Sequence, residues 1–227
     1  MKSERPPEEP GVYEAMSTTR AVRRLRTDPI PDEVLQRVLQ AATWAPSGGN
    51  VQPWRIVVVR DEEKKRALQA LYIGPWQAYV GSHRRGLEGA PEAVRARQER
   101  MLAAADHLAE HLHEAPALIL FCFNPSLLAI TDAALDRPSV VGGGSLYPAV
   151  QNLLLACRAE GLGCTLTTLL CQAEPEVQKL LELPDPWATY ACVPIGWPAS
   201  RGHGPIRRNA VEKMVYLDGW GRPLTDG

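Results

Sequence analysis

The stretch Ala45-Pro-Ser-Gly-Gly-Asn-Val-Gln-Pro-Trp54 joins a segment with helical periodicity to a segment that is apolar throughout. Before it, six apolar residues at three- and four-residue spacing predict an amphipathic helix that stops before Pro46. They are Val34, Leu35, Val38, Leu39, Ala41 and Ala42. After it, residues 56–59 indicate a strand covered on both faces, which we expect to be central in its sheet. The stretch itself is either an ordinary Pro/Gly turn or a loop that presents backbone N–H groups, a hydroxyl and an amide to a flat polar heterocycle.

The flanking sequence predicts further helices and strands that do not alternate strictly. Helices are expected over residues 12–20, from residue 61 to residue 72, and over residues 92–114, 146–160 and 174–181. Strands are expected over residues 117–123 and 188–195, and a strand or extended loop over residues 163–168. Residues 74–91 mix Gly, Pro, aromatic and basic residues without a period, so we expect an irregular segment there. This order predicts an α+β fold, or an α/β fold with a mixed sheet, rather than a doubly wound sheet.

The helix expected over residues 146–160 is apolar around most of its circumference. Ser145 is placed to cap its start, Pro148 falls in its first turn and Gly161 fits the position just past its end. A helix buried on more than one side is a central helix or an interface helix.

Composition and charge exclude several classes of function. The chain has 227 residues, enough for one sizeable core, and 25 basic against 26 acidic residues give a net charge of -1. That balance creates no field for nucleic-acid binding. The apolar runs at residues 117–123 and 153–157 are far shorter than the roughly 18–20 residues of a membrane helix. The first ten residues lack an apolar signal region, so we expect a cytoplasmic protein.

Motifs for several common sites are missing from the sequence. There is no G-x-G-x-x-G after a strand and no Walker motif, so neither a Rossmann site nor a P-loop site is indicated. There is no G-x-S-x-G, which disfavours a hydrolase. No C-x-x-C occurs, and the five cysteines are interpreted as small buried residues in a reducing compartment.

One pair of histidines has metal-ligand spacing. His107 and His111 are four residues apart on the helix expected over residues 92–114 and would share one face. The alternative is a solvated helix face that mixes Asp, Glu and His. Zinc needs three or four protein ligands, and no further ligand is tied to this pair, so the solvated face is favoured.

Five segments, taken in order, resemble the flavin-dependent nitroreductase family over roughly residues 12 to 217. Thr19-Arg20-Ala-Val-Arg23-Arg24-Leu resembles the family's R-R-S-[IV]-R-x-F phosphate motif. The loop at residues 45–54 resembles its A-P-S-x-x-N-x-Q-P-W loop and is the most specific match. The remaining signatures are resembled by residues 161–168, 193–198 and 204–208.

The resemblance implies an α+β fold with a mixed, largely antiparallel sheet flanked by helices, in a domain-entwined homodimer. One FMN would lie in each of two clefts at the dimer interface. Residues 12–217 would form the FMN-binding domain, residues 1–11 a flexible tail and residues 218–227 a C-terminal extension.

The same resemblance implies roles for individual residues toward the FMN phosphate and ring. Arg20, the backbone of Ala21, and Arg208 would face the phosphate, with Arg207 in support. Arg23 would lie near the N1 and C2 carbonyl edge of the isoalloxazine, where positive charge stabilises the reduced flavin.

Two further groups of residues would surround the ring. Pro46, Ser47, Gly48 and Asn50 would reach the flavin bound mainly by the other subunit. Leu166, Thr167 and Thr168 would pass beside N5, with Thr168 as the candidate catalytic residue. Thr19 and Ala21 replace an arginine and a serine of the family motif, which removes one charge and one hydroxyl from the phosphate site.

The activity implied is an FMN-dependent oxidoreductase that takes hydride from NADH or NADPH. Its electrons would pass to a nitroaromatic, quinone or similar small acceptor by a ping-pong mechanism. Reductive dehalogenation, other flavin-dependent chemistry of the family, and a protein that holds FMN without turnover remain open. The acceptor would be chosen in residues 74–99, which match no motif.

Overall fold

The computed structural model describes residues 10–224. The expected tail at residues 1–11 therefore lies almost wholly outside the described residues, as do residues 225–227 of the expected extension. Six helices are α1 (Val12–Thr18), α2 (Asp32–Thr43), α3 (Glu62–Gly86), α4 (Glu92–Glu110), α5 (Tyr147–Ala159) and α6 (Glu174–Leu181). Four strands are β1 (Trp54–Val59), β2 (Ala117–Phe123), β3 (Gly163–Cys164) and β4 (Ala188–Gly196). Among these helices none is long and apolar enough to cross a membrane.

The four strands form one antiparallel sheet in the order β1-β2-β4-β3. The α+β prediction is confirmed. The expectation that β1 is central was wrong, because β1 pairs with β2 alone in the described chain and lies at the sheet edge. A run of apolar residues indicates that both faces of a strand are packed against other elements. It does not indicate how many neighbouring strands the strand pairs with.

Two apolar layers enclose the sheet. Ile119 and Phe121 of β2 pack into a core shared with α2 and α5. Leu118 and Leu120, which point to the opposite face, pack with α3, α4 and α6. This alternation follows from the two-residue period of a strand. The layer that contains α3 and α4 also forms one wall of the cavity described below.

Helix α5 is buried as its sequence predicts, with Ala149, Val150, Leu153 and Cys157 almost fully covered. Gly161 has φ +76° directly after it, which is the left-handed conformation that glycine adopts at a helix end. Ser145 does not cap the helix. Its Oγ instead accepts a 3.0 Å hydrogen bond from the Gly48 N–H and ties the start of α5 to the 45–54 loop.

Residues 74–86 are helical, which corrects the expectation of an irregular segment. They continue α3, a 25-residue helix with Pro75 inside it. Tyr72, Trp76 and Val80 recur every four residues and are buried on one side of α3. A proline costs an isolated helix about 3 kcal/mol. Burial of three large apolar side chains at roughly 1.5–3 kcal/mol each outweighs that cost.

Candidate active site

A cavity of about 390 Å³ lies between α3, α4 and the segment that follows β3. Four of the residues expected around the flavin ring line it: Arg23, Leu166, Thr167 and Thr168. The sequence separates Arg23 from Leu166 by more than 140 positions. An isolated bridge between Ala21 and Cys164 brings the two segments side by side, and the Val22 N–H donates to the Cys164 carbonyl oxygen at 2.9 Å.

Arg23 is a half-buried cation without an ion-pair partner. No carboxylate of residues 10–224 lies within 4.0 Å of its guanidinium. Burial lowers its pKa, and the nearby Tyr72 opposes that shift only in part. Removing a charge from water without pairing it is unfavourable, so the cavity is suited to a ligand with an anionic or electron-rich edge.

The two arginine-rich ends of the domain meet on one surface. The Gly204 N–H donates to the Thr18 carbonyl oxygen at 2.9 Å, and the Ile206 N–H donates to the Ser17 carbonyl oxygen at 3.2 Å. Arg20 comes two residues after Thr18, and Arg207 and Arg208 come directly after Ile206. A Cβ built on Gly204 would lie 3.8 Å from Nη1 of Arg20, so that guanidinium rests against the glycine.

These three arginines also have no acidic partner within the described chain. The Arg208 guanidinium donates only to the Arg207 carbonyl oxygen, at 2.9 Å. Free guanidinium groups match the geometry of phosphate oxygens. Arg20 precedes Arg23 by three residues of nearly extended chain, which spans about 10 Å. The surface therefore suits a ligand with a phosphate at one end and a flat head in the cavity.

Thr167 and Thr168 differ in how their hydroxyls are used. The Thr167 hydroxyl donates to the Tyr72 phenol oxygen at 3.2 Å and accepts from the Leu169 N–H at 3.4 Å. Thr168 is exposed to the cavity, and its hydroxyl has no partner among residues 10–224. Of the two threonines, Thr168 therefore offers the free hydroxyl.

The 45–54 loop does not line this cavity. Pro46, Gly48 and Asn50 are exposed, and Ser47 is half-buried. The Ser47 Oγ accepts a 2.9 Å hydrogen bond from the Gln52 N–H, which helps to hold the loop. Asn50 and Gln52 have φ +55° and +49°, a conformation that costs free energy in residues other than glycine. That these residues reach a flavin held by a second subunit stays a prediction.

Sequence reasoning missed the outer wall of the cavity. Tyr72, Trp76, Tyr79 and His83 follow one another on one side of α3 at intervals of four, three and four residues. That interval was the available signal, and Gly74 with Pro75 obscured it. Met101, Leu102, Ala105 and Leu108 of α4 form the adjoining wall. No carboxylate lines the cavity in the described chain.

One carboxylate holds this wall from behind. The Trp76 indole N–H donates to Oδ1 of Asp106 at 3.1 Å, and the Arg84 guanidinium pairs with the other oxygen. Asp106 therefore joins α4 to two residues of α3. This connection fixes the position of Trp76 at the cavity.

The helix expected over residues 92–114 ends at Glu110, so His107 is on α4 and His111 directly follows it, with ring centroids 4.3 Å apart. His111 is bonded to Glu114 at 2.9 Å. Within residues 10–224 no group of three or more His, Cys, Asp or Glu side chains is placed to hold a metal ion. The histidine pair has the neighbours of a charged helix surface.

Comparisons with known proteins agree with the motifs. The model of the nitroreductase family matches residues 16–197. An NADH dehydrogenase of Thermus thermophilus is 35% identical over 199 residues, which are 86% of this chain and 90% of that protein. A 5,6-dimethylbenzimidazole synthase of Rhodospirillum rubrum is 34% identical over 189 residues, which are 79% of this chain and 78% of that protein.

A solved structure shows the same architecture. Oxidized iodotyrosine deiodinase, crystallised with FMN and 3-iodo-L-tyrosine, superposes with a TM-score of 0.66 at 26% identity. The match covers 88% of this chain and 95% of that one. The expected nitroreductase-like α+β fold is confirmed. Because the family match extends over most of its length, the chain belongs to the nitroreductase family.

Proposed function

We propose that the protein is an FMN-dependent oxidoreductase that takes hydride from NADH or NADPH and reduces a small aromatic acceptor. The observation that carries this proposal is the meeting of the unpaired Arg23 and the free Thr168 hydroxyl in one aromatic-walled cavity. When bound there, FMN supplies hydride acceptance and electron transfer. The chain supplies binding, orientation and a partly dry environment.

The residues present fit FMN better than a dinucleotide flavin. Arg20 and Arg208, supported by Arg207, would hold a terminal phosphate, because their guanidiniums are free and lie on one surface. Ala21 directly follows Arg20 and is exposed, so its backbone N–H can contact the same phosphate. Arg23 would face the N1 and C2 carbonyl edge of the ring, and Leu166, Thr167 and Thr168 would run beside N5. No dinucleotide motif is present in the sequence.

Donor and acceptor would use the same cavity in turn. The cavity is small for a ligand site, since such sites typically measure about 300–1,000 Å³. Once the flavin ring occupies part of it, there is no room for two further rings at once. The nicotinamide would therefore leave before the acceptor enters, which gives ping-pong kinetics.

The lining also favours a class of acceptor. Trp76, Tyr79 and His83 present flat rings, and Arg23 adds a cation to the same lining. Because no carboxylate of the described residues lines the walls, a positively charged acceptor would find no anionic side chain there. Neutral or anionic aromatic molecules, such as nitroaromatics and quinones, fit this environment best.

Reductive dehalogenation is the second candidate, because iodotyrosine deiodinase superposes closely on this chain. The amino acid 3-iodo-L-tyrosine carries an ammonium group that needs a carboxylate or carbonyl partner. Among residues 10–224, no carboxylate lines the cavity. A halogenated phenol without that group would fit the cavity better than an amino acid.

A homodimer completes the proposed site. Val12 and Trp44 expose 59% and 73% of their surface beside a groove between α1, α2 and α5. Covering this apolar surface with a second copy would bring in a second 45–54 loop.

Four buried thiols would stay reduced in the cytoplasm, the location we assign.

The proposal is tested with the purified protein and added FMN. Binding of FMN, loss of its visible absorption band on anaerobic addition of NADH or NADPH, and parallel double-reciprocal plots with a quinone acceptor are the expected results. Binding without bleaching would identify a flavin carrier instead. Failure to bind FMN would overturn the proposal.

A further inference from the structure

A short chain of hydrogen bonds ends at a phenol inside the cavity. The Leu169 N–H donates to Oγ1 of Thr167 at 3.4 Å, and the Thr167 hydroxyl donates to the Tyr72 oxygen at 3.2 Å. Either hydroxyl of this pair can donate to the other, because a hydroxyl both donates and accepts. When Thr167 donates to Tyr72, the phenol proton is left for an acceptor inside the cavity. In that arrangement the chain of donors has an open end at Tyr72.

Tyr72 is 3% exposed, and it lines the cavity. Its hydroxyl oxygen is hydrogen-bonded to Thr167, so an acceptor inside the cavity would add a second hydrogen bond. Burial raises the pKa of the phenol, an effect larger than the lowering by the Thr167 hydrogen bond and by the Arg23 charge. The group therefore remains a protonated donor.

The open end lies beside the unpaired cation. Arg23 and Tyr72 line the same cavity, and the charge of Arg23 acts on the phenol. Two donors, one charged and one neutral, therefore face a common region. Hydrogen bonds in series polarise one another, so when Thr167 donates to Tyr72 the donation from Leu169 strengthens Tyr72 as a donor.

We propose that Tyr72 binds the flavin directly, by donating its O–H to the electron-rich N1 and C2 carbonyl edge that Arg23 faces. This inference rests on the proposed function. Because that edge gains negative charge on reduction, the hydrogen bond favours reduced FMN over oxidised FMN. Thr167 is a positioning residue that orients the phenol.

The test compares Tyr72→Phe with Tyr79→Phe. Both tyrosines are on α3 and line the cavity, but Tyr79 is 46% exposed and its hydroxyl has no partner in the described chain. The measurements are the FMN dissociation constant by fluorescence and the two-electron midpoint potential by dye equilibration. Tyr72→Phe is expected to lower the preference for reduced FMN about tenfold, which equals a drop of about 30 mV. Tyr79→Phe is expected to leave the potential unchanged.

Variants of Thr167 provide a second readout. Thr167→Val should lower the potential in the same direction as Tyr72→Phe, and Thr167→Ser should restore it, because serine keeps the hydroxyl. Equal potentials for Tyr72→Phe, Tyr79→Phe and wild type, all with FMN bound, would overturn this inference and leave the proposed function intact. A wild-type protein that binds no FMN would overturn both.

Discussion

The backbone N–H of Arg20 donates a 3.2 Å hydrogen bond to Nδ1 of His203. Because Nδ1 accepts, the ring proton is on Nε2, which donates to the Leu162 carbonyl oxygen at 2.8 Å. The neutral imidazole thus holds the segment that begins at Arg20 against the loop that carries Arg207 and Arg208. Burial lowers the pKa of His203, and the charges of Arg158 and Arg20 lower it further.

This relationship predicts a loss of stability in acid. A histidine whose pKa is lower in the folded state binds fewer protons there than in the unfolded chain. The free energy of unfolding therefore decreases as the pH decreases. The fall should begin below the ordinary histidine pKa of about 6.5 and continue to the folded value. His203→Gln should flatten the dependence when denaturation midpoints are compared from about pH 5 to pH 8. Identical slopes in the two proteins would show that His203 does not titrate on unfolding.

Arg208→Ala should weaken FMN binding. A charge-assisted hydrogen bond is worth about 1.5–3 kcal/mol, which corresponds to a rise of roughly 10- to 150-fold in the dissociation constant. Fluorescence titration measures this change. Arg97→Ala, at an exposed arginine on α4, is the control and should leave binding unaltered. If both variants bind FMN like wild type, Arg208 is not a phosphate ligand.

Thr168→Ala should slow reduction of the bound flavin by NADH or NADPH without abolishing FMN binding. The free hydroxyl lies where we place the N5 edge, and loss of one neutral hydrogen bond of about 0.5–1.5 kcal/mol gives a two- to twelve-fold slower step. Anaerobic stopped-flow absorbance measures the rate. Thr168→Ser keeps the hydroxyl and should react like wild type. A Thr168→Ala rate equal to that of wild type would leave Thr168 with a structural role only.

Asp106→Ala should destabilise the outer wall of the cavity. It leaves the Trp76 indole N–H without its acceptor, which costs about 1–3 kcal/mol in a buried setting. We expect a lower unfolding free energy, a shifted tryptophan emission and a several-fold higher acceptor KM. Asp106→Asn retains an acceptor oxygen and should recover most of the KM.

Glu99→Ala serves as the matched control for Asp106. Glu99 is an exposed acid on the same helix, and its nearest basic partner, Arg95, lies 4.0 Å away. This variant should behave like wild type in all three measurements. An unchanged acceptor KM in Asp106→Ala would show that the wall held by Asp106 does not contribute to acceptor binding.

Trp44→Glu should dissociate the proposed dimer. Trp44 is 73% exposed beside the groove between α1, α2 and α5, and a charge there would have to be buried in an interface. Light scattering at micromolar concentration should give the mass of a dimer for wild type and of a monomer for the variant. Val94→Glu changes an apolar residue of α4 that is 47% exposed, and it should stay dimeric. A monomeric wild type that still binds FMN would contradict the dimer.

The parts of the fold that local pattern determines were predictable. Helix α2 and strands β2 and β4 appear where periodicity places them, because their apolar residues are covered by neighbours on the expected faces. The edge position of β1 was not predictable, since a strand's own residues do not specify how many strands pair with it. The second half of α3 was missed because Pro75 signals a break locally, whereas packing of Trp76 and Val80 keeps the helix intact.

The candidate site likewise contains residues that local sequence predicts and residues that only the whole fold identifies. Arg23, Leu166, Thr167 and Thr168 were identified from short motifs, and the structure brings them together. Tyr72 was not, because an aromatic residue on an apolar helix side has the same pattern whether it packs in a core or lines a cavity. Only the separation between α3 and α4 distinguishes the two cases, and that separation depends on the whole fold.

The contact between Arg20 and His203 spans 183 positions, so it also sets an order of events during synthesis. Helices α1 and α2 leave the ribosome before these residues, but the Arg20 N–H has no His203 ring to donate to until residue 203 has emerged. At synthesis rates of about 5–20 residues per second, that interval is on the order of ten to forty seconds. The phosphate end of the proposed site therefore assembles only after residues 203–208 have been synthesised, long after Arg20 itself.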